Sequence, residues 1–79
     1  MTFKEYDIVA LKSDIRAIHK ESQQPILLQH GQVGTVVMTF NNEAYLIDFS
    51  DAQGMTYAME TIPQNQLMLL HYEPASVVA

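Results

Sequence analysis

From His30 to Phe49 the chain alternates apolar and polar positions in two runs separated by strong turn formers. Val33–Phe40 and Ala44–Phe49 are rich in β-branched and aromatic residues and flank Asn41-Asn42-Glu43, which predicts a hairpin. Gly31 and Gly34 stand at the start of the first run, where glycine allows a bend or a close backbone approach. Val33, Thr35, Val37 and Thr39 alternate with Val36, Met38 and Phe40, and neither set is cleanly polar. That predicts a strand that bends and serves two sheets. In the second run Tyr45, Ile47 and Phe49 share the expected core face, with Ala44, Leu46 and Asp48 on the other. A turn at Ser50–Gly54 leads to a strand at Met55–Ile62. Pro63-Gln64-Asn65-Gln66 suits a single 3-10 turn before a last strand at Leu67–Tyr72.

The first half is less regular. Asp7–Lys12 reads as a strand, with Ile8 and Ala10 on one face and Val9 and Leu11 on the other. Ser13–Gln32 is long for a structureless connection and predicts structure of its own. Ile15 and Ile18, three apart, predict one helical or 3-10 turn with Ser13 or Asp14 as N-cap. Ile15, Ile18, Leu27 and Leu28 are expected to pack onto the fold, with Arg16, His19, Lys20 and Glu21 facing water. The expected fold is all-β, a small five-stranded barrel in a single domain over residues 1–79, with its core in about 5–73 and a flexible tail at 74–79. The expected core is Ile8, Ala10, Val36, Tyr45, Ile47, Phe49, Ala58, Ile62, Leu67 and Leu69.

Composition narrows the function classes. The chain has 79 residues, no cysteine and 48% hydrophobic residues, so it folds without disulfides or thiolate metal sites. No apolar run is long enough to span a bilayer, and the opening residues lack a secretory pattern, so a cytoplasmic protein is expected. The formal net charge of −5 opposes phosphate tracking and is compatible with a basic protein partner.

Tyr6–Leu11, a long loop, Gly31-Gln32-Val33-Gly34-Thr35-Val36-Val37, Tyr45–Phe49 and Ile62–Leu67 together resemble SH3-like barrels. They are particularly similar to a family of small, largely cyanobacterial proteins of unknown function, itself similar in pattern to the barrel of the nitrile hydratase β subunit. The glycine-valine segment also resembles KOW modules. The resemblance implies the SH3-like fold and no catalytic residues. It also carries a lead toward antitoxin or immunity roles. Against the family pattern, the first loop is longer, and Met38 and Leu46 stand where charged residues are common.

No catalytic, cofactor or metal motif is present. His19, His30 and His71 have no metal-ligand spacing, and Glu43, Asp48 and Asp51 read as turn carboxylates. A chain of this size has little room for a closed pocket, so a non-enzymatic protein is expected. Met38, Leu46, Tyr57, Met59 and Met68 are the candidate partner surface, because Met adapts to binding partners and one small core cannot hold them all. Lys12, Arg16, His19 and Lys20 form a candidate basic loop. The leading expectation is a protein-interaction module that binds a protein partner or itself. A KOW-type nucleic-acid-binding barrel is the alternative.

Overall fold

The computed structural model describes residues 2–78; Met1 and Ala79, the outer ends of the expected domain and tail, lie outside the described residues. Seven strands follow one another: β1 (Ile8–Leu11), β2 (Ile15–Ile18), β3 (Pro25–Leu28), β4 (Val33–Phe40), β5 (Ala44–Ser50), β6 (Thr56–Pro63) and β7 (Leu67–Leu69). A 3-10 turn at Gln64–Gln66 precedes β7, as the Pro63-led tetrapeptide predicts. The main sheet is antiparallel in the order β6-β5-β4-β1-β7, and β2 pairs with β3 in a separate two-stranded sheet. The fold is all-β, and the main sheet is compatible with a half-open barrel.

The local signals explain the β4–β5–β6 meander. Asn41 and Asn42 both adopt positive φ, and the Glu43 N–H donates to the Phe40 carbonyl at 3.0 Å. Such left-handed turn residues match the twist of the strands they join, and asparagine tolerates them better than most side chains. In the next turn the Asp51 carboxylate accepts the Gln53 and Met55 N–H groups at 2.9 and 3.0 Å, while Gly54 takes φ +82°. The expected bend in β4 is present. Thr35 faces Asp48 and Val36 faces Ile47, but Met38 then faces Leu46, so Val37 is an extra, bulged residue. Before the bulge β4 pairs with β1, and after it only with β5.

The core lies on the inner face of this sheet. Tyr45, Ile47 and Phe49 are buried, as their shared face predicts, together with Val36, Ala58, Ile62 and Leu67. The Phe3 ring meets the Tyr45 ring edge-on at 5.2 Å, and the Phe3 N–H donates to the Tyr45 hydroxyl. Gly34 faces inward under Ile47 and Phe49. A Cβ there would clash with Ile47 Cγ2 and stand 3.0 Å from Phe49 Cε1 and 3.1 Å from the Asp48 carbonyl. This close approach, rather than a turn, explains the glycine.

Several expectations are corrected. In β1 the core takes Val9 and Leu11 besides the expected Ala10, while Ile8 is only half-buried. Both faces of β1 are apolar, so only pairing with β4 and β7 fixes which one turns inward. Leu69 is half-buried against the core rather than within it. Ile15–Ile18 is a strand, not a helical turn: Ile15 pairs with Leu28, Ala17 with Ile26 and Ile18 with Pro25. A period of two therefore replaces the period of three. Leu28 and Ala17 turn inward, while Ile18 and Leu27 are 47% and 51% exposed. Asp14 caps no helix; its carboxylate accepts the His30 N–H at 2.8 Å across the base of the hairpin. The last strand ends at Leu69 rather than Tyr72, so His71 lies beyond the sheet and is exposed.

Candidate functional site

The sequence proposes two groups of residues, and the fold divides both. On the outer face of the meander, Met38 stands opposite Leu46, and Leu46 opposite Thr61. Met59 is opposite Asp48 and so diagonal to Leu46, within reach of long side chains. Phe40, opposite Ala44, extends the same row. Met38, Phe40 and Met59 are 48%, 41% and 39% exposed, and Leu46 between them is half-buried. The bulged Val37 is exposed beside Met38. Three of the five proposed surface residues, Met38, Leu46 and Met59, therefore join with Phe40 in one apolar patch. Phe40 is a member that the sequence reading missed. Its signal was available, because it sits two positions from Met38 on the same face.

Met68 belongs elsewhere. It lies on β7 opposite Ala10, which in turn pairs with Val33, and β7 is three strands away from β5. Tyr57 leaves the outer face altogether. The β5–β6 register shifts between Phe49 and Ser50, leaving Tyr57 as the unpaired residue. A bulge of this kind re-aims a side chain. The Tyr57 ring packs against the core cluster, its hydroxyl bonds the Gln32 amide, and its ring stacks on His19 at 6.4 Å. Its carbonyl accepts the Lys20 N–H at 2.8 Å. Tyr57 thus fastens the β2–β3 hairpin to β6.

The basic residues do not form one patch. Lys12 lines a hollow of about 440 Å³ along β7 with Phe3, Leu67 and Met68. Arg16 lines a different hollow on the hairpin with Pro25, Ile26 and Leu27. Lys20 sits in the hairpin turn and is exposed. Neighbouring His19 is half-buried, and its Nδ1 accepts the Glu21 and Ser22 N–H groups at 3.2 and 3.3 Å. His19 is therefore a turn-forming residue.

The carboxylates near the meander also have local partners. Asp48 accepts the Thr56 hydroxyl at 2.9 Å and the Ser50 hydroxyl at 2.9 Å, and Asp51 caps its turn. These bonds hold the chain in shape. Among the described residues no group of three or more His, Cys, Asp or Glu side chains gathers to hold a metal, and no helix is long and apolar enough to cross a membrane.

The fold and this surface define a small all-β protein with an apolar patch on the outside of its main sheet. The chain belongs to the DUF4926 family, a domain of unknown function, whose model matches residues 5–69. No curated protein and no solved structure matches it.

Proposed function

We propose that this chain is a non-enzymatic protein-interaction module, an SH3-like barrel that docks a protein partner on the outer face of β4, β5 and β6. The observation that carries this reading is the row Phe40, Met38, Leu46 and Met59, adjacent on a sheet face that antiparallel proteins ordinarily give to polar residues. The strand order β6-β5-β4-β1-β7, with a hairpin inserted between β1 and β4, supports the SH3-like assignment. An accessory, antitoxin or immunity role is a special case that rests on the family resemblance alone.

The test is affinity capture of the tagged chain from its native lysate, with and without nuclease, alongside the Met59→Glu variant. A stoichiometric protein that survives nuclease and is lost with Met59→Glu is the expected result. A catch that vanishes with nuclease would replace this reading with the KOW-type one. Lys12, Arg16 and Lys20 would then be the residues to neutralise.

A further inference from the structure

We infer that the partner segment received by this face is basic, with large apolar anchors between its Lys or Arg residues. The inference rests on the reading above that the face is a docking surface. Its warrant is the placement of charge. All of the chain's Lys and Arg residues, Lys4, Lys12, Arg16 and Lys20, fall before position 21. From Val33 to Pro63, which spans β4, β5, β6 and their turns, there is no Lys or Arg, but there are Glu43, Asp48, Asp51 and Glu60.

Two of these carboxylates, Glu43 and Asp48, border the apolar row. Glu43 is exposed next to Ala44, at the Phe40 end. Asp48 is half-exposed and directly opposite Met59, with its carboxylate held by two hydroxyls. Glu60 and Asp51 lie outside this set, since Glu60 shares a hollow with Arg16 and Asp51 shares one with His19 and Tyr57, both on the hairpin side.

An apolar patch bordered by one sign of charge attracts and orients the opposite sign and penalises its own. A second copy docked face to face would bring both sets of carboxylates together, and β4, β5 and β6 supply no Lys or Arg to pair with them. Nucleic acid would meet the same repulsion. The methionines add shape tolerance, so the anchors need be large and apolar rather than one residue type.

The experiment selects binders from a displayed library of random short peptides against the full chain at low salt. Enriched peptides should carry net positive charge and spaced large apolar residues. Their affinity should fall about ten-fold in Met59→Ala, as for loss of a central anchor. In Glu43→Gln, and on raising salt, it should fall a few-fold. Met38→Ala serves as a second anchor variant, and urea denaturation confirms that each variant folds. Enrichment of neutral or acidic peptides that compete for this face would overturn the charge inference while leaving the docking surface standing. No enrichment, or peptides indifferent to both anchor variants, would overturn the docking surface as well. A dimer in sedimentation that Met59→Glu dissociates would put a second copy on the face, overturning the basic partner.

Discussion

The β2–β3 hairpin and the β4–β5–β6 meander are both antiparallel and both carry apolar residues on two faces, yet they are held differently. The hairpin has strands of four residues and a turn of polar residues. A hairpin alone is marginal in water, so this one depends on attachments. They are Ala17 and Leu28 buried against the core, the Asp14–His30 clasp at its base, and Tyr57 at its tip. The meander has strands of seven and eight residues and supplies Tyr45, Ile47, Phe49, Ala58 and Ile62 to the core. Its stability resides on the inner face. The outer face can therefore carry Met38, Phe40 and Met59 for another purpose. The hairpin's outer face also exposes Ile18 and Leu27, but they stand beside Arg16 in a small element that its attachments hold in place.

Phe49→Ala removes a fully buried ring from the meander and should cost about 4 kcal/mol, read as a lower urea midpoint. A loss below about 1 kcal/mol would mean that the meander is not the principal source of stability. Gly34→Ala tests the same region from the crowded side. The new methyl meets Ile47 and Phe49, and unfolding should become easier by about 2 kcal/mol. Tyr57→Phe probes the attachment of the hairpin. It removes the hydroxyl that bonds Gln32 and should cost about 1 kcal/mol. Hydrogen exchange should quicken at the Lys20 amide while the β5 amides keep their protection. Equal loss of protection in both would show that hairpin and meander open as one unit. Met59→Gln should have the smallest effect on stability, within about 0.5 kcal/mol, because the position is partly exposed and the substitution adds no charge opposite Asp48. A large loss would show that the outer face is structural, and the docking surface would fall with it.

Much of the meander was legible because its signals are local. Asn41-Asn42 specifies the turn, the Tyr45, Ile47, Phe49 alternation specifies the inner face, and Pro63 stops β6 before the 3-10 turn. The hairpin was misread because Ile15 and Ile18 satisfy a helical spacing, while the strand period runs through Ala17, whose small side chain signals little. Its partner strand begins at Pro25, beyond a polar turn, and nothing near Ile15 names it.

The candidate site shows the same division. Alternation alone put Met38, Leu46 and Met59 outside, and the register then placed them beside one another. Alternation along the strand places Tyr57 on that surface too, and a bulge turns it toward the hairpin.

The sequence by itself determined an all-β chain, its turns, the core face of β5 and a charge distribution with every Lys and Arg before position 21. Only the tertiary structure decided the inward face of β1, the pairing of β2 with β3, the parting of Met68 from the other methionines, and the role of Tyr57. Each of those depends on which distant strand lies alongside and in what register. A shift of one residue reverses every face, and no local preference encodes it.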